Sequence, residues 1–376
     1  MIAVMRTMRS SHYYSGSRPC DDVHMHSIDA LFNSVAALPP SFESEVIAKA
    51  VGEQFGLVGQ YRPLVSERDQ NFRLETADGA RYVVKITSFA ENPLVTDFQI
   101  AALLHLEQFG LTGVPRIVRT RRGGDRGIIR SNDGDEAVLR VVTWLDGELL
   151  SDANVTPEIC HRFGCRLADL DIALENFSHA GDRQDLLWDM QRAAELGALL
   201  IHIDNRDVRQ LVEEVLNVFE TSAGSALKEL ACQVIHNDAN GENVLLDEQQ
   251  ELSGFIDFGD MLRAPRIVDV ATAAAYLRTI DGDPLRLLVP FVAGYNERNP
   301  LSELESDLLY DLIRTRLAMT LLILYWRVSA RQPGDPYREK SLQGEATAFD
   351  FLQNLTTLGR AAFRERILDE KSFKNK

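Results

Sequence analysis

The residues best suited to chemistry lie between 234 and 260, as Val234-Ile235-His236-Asn237-Asp238-Ala239-Asn240-Gly241-Glu242-Asn243-Val244-Leu245-Leu246 and then Gly254-Phe255-Ile256-Asp257-Phe258-Gly259-Asp260. A His-x-Asp is followed by Asn243 five residues after its aspartate, then by an apolar strand, and an Asp-Phe-Gly begins fourteen residues beyond that asparagine. Phosphoryl transfer requires hard oxygen ligands to hold a divalent metal on the phosphates and one carboxylate to receive the proton of an in-line hydroxyl. A loop aspartate, an asparagine and a second aspartate beyond a hairpin supply those groups. Singly, His236 and Asp238 suit an Asx-capped turn and Asp257 an ordinary strand end. The joint spacing between apolar strands is what points to a metal and phosphate site.

A kinase site also needs a strand lysine for the nucleotide phosphates, and Lys85 stands in Tyr82-Val83-Val84-Lys85-Ile86. A lone strand lysine usually guards a sheet edge. Here it follows a hairpin and precedes the His-Asn-Asp element, which favours the phosphate role. The turn Val65-Ser66-Glu67-Arg68-Asp69-Gln70-Asn71 lies where a phosphate-covering loop belongs but has no glycine. Ser66, the amides of Gln70 and Asn71 and the backbone N–H groups can donate to phosphate oxygens. A polar β-turn accounts for the same residues.

The elements that must position these groups follow from changes of hydrophobic period. Residues 42–56 repeat apolar side chains at three and four and end in Gly56, a helix with its stop. Two strand-like runs, Gln70 to Thr76 and Ala80 to Thr87, flank an Asp-Gly turn as a hairpin. A second helix spans 95–109 and is closed by Gly110; VPRIV, RGIIRS and EAVLRVVTWL then read as three strands. Beyond Asp146-Gly147, a hinge candidate, helices are expected near 157–176, 190–202, 206–222, 266–280, 284–298, 302–330 and 338–366. Only 232–258 interrupts them, with short strands CQVI, NVLL and LSGFI. The expectation is an α+β chain: a disordered leader at 1–41, a β-rich nucleotide-binding lobe at 42–146 with one main helix, and a helical lobe at 147–370.

At 45% hydrophobic and 26% charged residues, most of the chain can form a core. Its formal charge of −16 argues against a nucleic-acid partner and suits a cationic small substrate, although solubility alone explains acidic enzymes. Cys20, Cys160, Cys165 and Cys232 show neither zinc spacing nor a disulfide framework, so reduced thiols are expected. The longest apolar stretch, Leu317 to Val328, is too short to span a bilayer. Residues 1–26 lack the apolar centre of a secretory signal, and Met25 is an alternative start. A cytoplasmic protein with no membrane partner is expected.

The sequence resembles the aminoglycoside phosphotransferase and choline kinase superfamily, small-molecule relatives of the protein kinases, through Ser66 to Phe72, Tyr82 to Thr87, His236 to Leu246 and Ser253 to Leu277. Within it the resemblance is closest to the hydroxylysine kinase branch, which includes modules fused to class III aminotransferases; it covers about residues 42 to 360. It implies a protein-kinase-like bilobal fold, with Asp238 as catalytic base, Asn243 and Asp257 as Mg²⁺ ligands and Lys85 on the phosphates of ATP or GTP. Val142-Thr143-Trp144-Leu145 would present backbone groups to the purine, with Trp144 either a wall for the base or a core aromatic. His236 and Asp269 are structural by the same resemblance. The implied reaction moves the γ-phosphate to the hydroxyl of a small amino compound resembling 5-hydroxylysine.

Two features depart from the superfamily pattern. Asn237 stands where many members have glycine, and asparagine tolerates the unusual backbone geometry. The 95–109 helix has no central carboxylate for Lys85: Asp97 is early, Glu107 late, and Gln99, Ala101 and Ala102 lie between, so Asp97 or Gln99 would have to serve. Asp260, Glu242, Asp307 and Asp311 are available for a cationic substrate, and Arg316 or the Tyr325-Trp326-Arg327 step for a substrate carboxylate. Exposed charge and snorkelling arginines explain these residues equally. An aminoglycoside, homoserine, choline or ethanolamine kinase is an alternative of the same class, and a nucleotide-binding pseudokinase with a regulatory role is one of another class. The oligomeric state is open.

Overall fold

A computed structural model describes residues 39–66, 68–131, 134–279, 281–330 and 336–368; the expected leader lies outside them except for 39–41. The first helix, α1 (Ser44–Phe55), buries Ile47, Val51 and Phe55 on one stripe. Gly56, at φ 77°, ends it by donating its N–H to Gly52 O. Five antiparallel strands follow, β1 (Gly59–Leu64), β2 (Gln70–Thr76), β3 (Arg81–Ile86), β4 (Gly127–Arg130) and β5 (Glu136–Thr143), ordered β1-β2-β3-β5-β4. The hairpin read from the Asp-Gly turn is β2–β3.

Strand alternation gives the sheet two different faces. Phe72, Leu74, Val84, Ile86, Leu139 and Val141 form one core with α1. On the other face Asn71 pairs with Lys85 and Lys85 with Arg140 in a row across three strands. Facing that row is α2 (Pro93–Phe109), opened by an Asn92 cap with Pro93 at its first position and closed by Gly110 at φ 85°. Its Phe98, Ala102 and Leu106 belong to the larger core shared with the helices that follow.

One strand, β1, is absent from the sequence expectations, and one expected strand is incomplete. β1 carries Pro63, which an edge strand tolerates because one side of it makes no ladder bonds. Residues 114–118 do not form a full strand; only Ile117 bridges to Val142, beyond the stretch of β5 that β4 covers. Pro115 removes one donor from that segment.

The remainder is mainly helical, with α3 (Pro157–Leu174), a 3-10 helix (Met190–His202), α4 (Arg206–Val218), a π turn (Phe219–Ala223) and α5 (Gly224–Leu227). After the small sheets come α6 (Ile267–Tyr276), α7 (Leu288–Arg298), the long α8 (Glu303–Ala330), α9 (Pro336–Leu358) and α10 (Arg360–Leu368). Residues 190–202 wind more tightly than the expected α-helix, and the helix expected over 338–366 is divided by Gly359 at φ 79°. Short strands frame the chemical residues. β6 (Glu148–Leu149), β8 (Val244–Leu246) and β9 (Leu252–Phe255) form one sheet, and β7 (Cys232–Ile235) pairs with β10 (Leu262–Pro265). Cys160 and Cys165 are free thiols, whereas Cys232 is disulfide-bonded, against the expectation of reduced thiols throughout. Among the described residues no helix is long and apolar enough to cross a membrane.

Helices α3 and α7 approach until only glycine fits at two points. A Cβ on Gly164 would stand 1.9 Å from Phe291 O, and one on Gly294 would stand 1.9 Å from His161 O. Gly294→Val is therefore expected to destabilise the protein by about 1–3 kcal/mol or more, read as a lower urea midpoint. Gly52→Ala, whose Cβ would meet only Leu57 O at 3.8 Å inside α1, should instead be neutral or stabilise by roughly 0.5–1 kcal/mol.

Candidate active site

The chemical loop leaves β7 at Ile235 and enters β8 at Val244. Its first turn is fixed by Asp269 of α6, whose carboxylate accepts the backbone N–H of His236 at 2.9 Å and of Asn237 at 2.7 Å. Asn237 has φ 63°, the left-handed region that asparagine enters more readily than other side-chain residues. The His236 Nδ1 accepts from Asp238 N at 3.3 Å, so its Nε2 carries the hydrogen donated to Ile256 O at 3.1 Å. Fully buried and edge-on to Phe258 at 4.8 Å, His236 ties the loop to β9's exit. It fills a packing position, as expected.

Behind this turn lies a residue that the sequence reading missed. Asp171 of α3 accepts the Tyr295 hydroxyl at 2.6 Å through Oδ2, while its buried Oδ1 has no hydrogen-bond partner of its own. Burial, then the adjoining Asp269 charge, pushes the Asp171 carboxyl well above the usual range. Only an i, i+4 apolar helix surrounds Asp171 in sequence, which offers no signal of this role.

Asp238 is held from two sides. Asn240 Nδ2 donates to its Oδ1 at 2.9 Å, and Asn243 Nδ2 donates to its Oδ2 at 2.7 Å and to its backbone oxygen at 2.9 Å. The Arg316 guanidinium comes within 3.5 Å of Oδ1, stacked 4.6 Å from the Trp188 ring centre and bonded to Trp188 O at 3.0 Å. Burial, then the charge of Asp260, pushes the Asp238 carboxyl up to about 8 against the pull of Arg316. A carboxyl poised near neutrality is suited to receiving a proton from an attacking alcohol.

Asp257 follows β9 at φ 57° and meets Lys85 Nζ at 3.3 Å through Oδ1; the lysine charge holds its carboxyl below the usual range. Ile256 N donates to Asn243 O at 2.9 Å, so Asn243 and Asp257 leave the β8–β9 hairpin side by side. The Asn243 amide hydrogens go to Asp238, which leaves its Oδ1 as an oxygen donor, and Asp257 is anionic. One amide oxygen beside one ionised carboxylate fits a hard divalent cation such as Mg²⁺.

Neither Asp97 nor Gln99 reaches Lys85. Asp97 pairs with Arg126, and Gln99 donates to Gly259 O at 3.2 Å and accepts from Arg140 Nη1 at 2.5 Å. Arg140 also bonds Asp69 and Thr87, at 3.3 Å and 3.2 Å. The described link between α2, the sheet and the Asp-Phe-Gly turn is thus Arg140–Gln99–Gly259 rather than a lysine–carboxylate pair.

Among the residues expected near a nucleotide, Ser66 Oγ accepts from Asp69 N at 3.3 Å, and Asn71 lies in register with Lys85. Thr143 Oγ1 accepts from Arg116 N at 2.9 Å, and Thr143 N donates to Arg116 O. Trp144 N donates to Arg81 O, and its half-buried ring lies 5.1 Å under the Arg73 guanidinium, so β2 already occupies that ring. Leu145 packs on Gly254 of β9. Of the acidic candidates only Asp260 is drawn into the cleft, where Arg68 binds it. Glu242 is exposed on the loop. Asp307 and Asp311 pair with Arg364 and Arg360 of α10, outside the site. Arg327 stacks on Trp188 at 5.8 Å.

A family model described as "Phosphotransferase enzyme family" matches residues 60–304, which contain Lys85, Asp238, Asn243 and Asp257. The chain belongs to that family. This phosphotransferase is 26% identical to the hydroxylysine kinase of Mus musculus over 366 residues, covering 90% of this chain and 96% of that one. It is likewise 26% identical to the Bos taurus hydroxylysine kinase over 358 residues. Among solved structures, amicoumacin kinase hAmiN, bound to AMP-PNP, Ca²⁺ and Ami, superposes with a TM-score of 0.64 at 15% identity, over 85% of this chain and 98% of that one. A microcompartment-associated aminopropanol kinase gives 0.59 at 17%, over 87% and 100%. The fold is the kinase-like one expected, and the phosphotransferase is a small-molecule kinase enzyme.

Removing Asp269 leaves two buried N–H groups unpaired. Asp269→Ala in this phosphotransferase is expected to cost about 3–5 kcal/mol in urea unfolding. Asp171→Asn, which keeps an oxygen to accept from the Tyr295 hydroxyl, should cost clearly less than Asp171→Ala, which strands that hydroxyl and costs roughly 1–3 kcal/mol.

Proposed function

We propose that the protein is an Mg²⁺-dependent kinase that moves the γ-phosphate of ATP or GTP to the hydroxyl of a small amino compound, most simply 5-hydroxylysine. The observation that carries this reading is the convergence of Asp238, Asn243, Asp257 and Lys85 on one cleft, each held by the bonds described above. The hydroxylysine kinase relatives supply the acceptor class, and the net charge of −16 suits a cationic acceptor.

Asp238 takes the acceptor hydroxyl proton while that oxygen bonds to the γ-phosphorus and the bond from the γ-phosphorus to the bridging oxygen breaks. The electron pair leaves with the nucleoside diphosphate. Asn243 fixes the rotamer of Asp238, and Arg316 keeps an opposite charge beside it. Asn243 and Asp257 would hold the metal, whose charge offsets that of the phosphates when it is bound. Lys85 supplies a second cation from the sheet, and preorganised charge of this kind is the main catalytic contribution. Ser66 and Asn71 are assigned to the phosphates, and the 143–145 backbone to the base. We place the protein in the cytoplasm with no nucleic-acid or membrane partner, and the lobe division at 146/147.

The absence of a described α2 carboxylate on Lys85 favours a second reading, a pseudokinase that binds nucleotide without turnover. Nucleoside diphosphate release is the discriminating measurement, with ATP and GTP, across 5-hydroxylysine, homoserine, choline, ethanolamine and an aminoglycoside. Turnover is expected on 5-hydroxylysine, to stop on chelation of divalent metal, and to fall by about 10²–10⁴ in Asp238→Ala. Nucleotide binding with no turnover on any of these acceptors would instead support the pseudokinase.

A further inference from the structure

The turn between β1 and β2 has no glycine in its sequence, and its Asp69 is held from beneath. Asp69 accepts from Ser88 N at 3.2 Å and from Arg140 Nη2 at 3.3 Å, and its own N–H is bonded to Ser66 Oγ. Arg140 is itself buried, so this anchor lies in the interior. The neighbouring side chain, Arg68, points the other way, across the cleft, and bonds Asp260 Oδ1 directly. Among the described residues that is its one hydrogen-bonded partner.

Gly259 shows where the guanidinium stands. A Cβ built there would lie 3.2 Å from Asp257 Oδ1 and 3.8 Å from Arg68 Nη2. Asp257 Oδ1 is also the atom that meets Lys85. Two cations from the sheet side therefore converge on one turn, Asp257 to Asp260, next to Asp238.

We infer that Arg68 is the terminal-phosphate ligand of this turn, held by Asp260 until a nucleoside triphosphate replaces that carboxylate. A guanidinium offers a planar fork that matches phosphate oxygens bidentately, and a polyanion outcompetes a single carboxylate for it. The side chain thereby supplies what the glycine-free main chain of the turn does not: a close cationic contact to the last phosphate. The bond to Asp260 makes the carboxylate a competitor of the nucleotide. This assignment rests on the kinase reading above.

The test is calorimetric titration of the full chain, with Mg²⁺, using AMP-PNP and ADP and, in parallel, GMP-PNP and GDP. Arg68→Met should weaken triphosphate-analogue binding about tenfold or more while diphosphate binding changes little, because only the terminal phosphate loses a charge-assisted bond. Asp260→Asn should tighten analogue binding, and the double variant should behave as Arg68→Met does. If Arg68 and Asp260 are only a strut between the two sides of the cleft, both single variants will weaken analogue and diphosphate binding alike, and the inference is overturned. Equal loss for analogue and diphosphate in Arg68→Met alone also overturns it. Thermal melting without nucleotide checks that each variant folds, and Arg68→Lys, which keeps the charge but not the fork, should fall between wild type and Met. Wild-type protein that binds none of the four nucleotides would sink the kinase reading itself, a result distinct from a failure at Arg68.

Discussion

The site depends on one buried carboxylate. Asp269 takes two consecutive backbone N–H groups of the 236–243 loop, donors that must find a partner where they are buried. Holding those donors forces Asn237 into the left-handed region, and that turn aims Asp238 at the cleft while His236 folds back under it. Desolvating the anion is costly, and the two N–H bonds offset that cost; Asp171 of α3 adjoins it. Tyr295 completes the chain on the far side. The 236–243 loop is therefore fastened to α6, beside the buried Asp171–Tyr295 pair that joins α3 to α7.

A second constraint acts on the sheet. Lys85 and Arg140 are direct cross-strand neighbours, and like charges so placed repel. Each is matched to a different carboxylate, Lys85 to Asp257 across the cleft and Arg140 to Asp69 in the turn above. The repulsion is thus turned into separation, one cation facing Asp257 and the other anchoring the turn. Gln99 suits this arrangement better than a glutamate would by its two-sided amide, which accepts from Arg140 and donates to Gly259. The missing helix carboxylate is consistent with that rewiring of the link between α2 and the Asp-Phe-Gly turn.

The cleft that results has cations on one side and carboxylates on the other. Lys85 and Arg68 face Asp257 and Asp260, with Asp238 behind them and Arg316 on its helical side. Ion pairs across a cleft are readily exchanged for stronger partners, because each pair retains solvent contact and is worth little by itself.

Much was legible in the sequence where the information is local. The period of α1 and α2, their glycine stops, the β2–β3 hairpin and the spacing of His236, Asp238, Asn243 and Asp257 are short-range patterns, and each appears in the structure at or near its expected place. What the sequence could not show is pairing between distant elements. The roles of Asp171, Arg140 and Arg68 depend on which side chains meet across more than 40 residues, and a carboxyl or guanidinium in isolation reads as a surface charge. The same reason separates Asp260, drawn into the cleft by Arg68, from Asp307 and Asp311, which are taken by α10. Sequence by itself determined the chemical groups and the elements that carry them, since both are set by local residue type and spacing. Only the tertiary structure decided which charge faces which, because burial and partner distance, not residue identity, fix whether a buried ion is a ligand, a brace or a competitor.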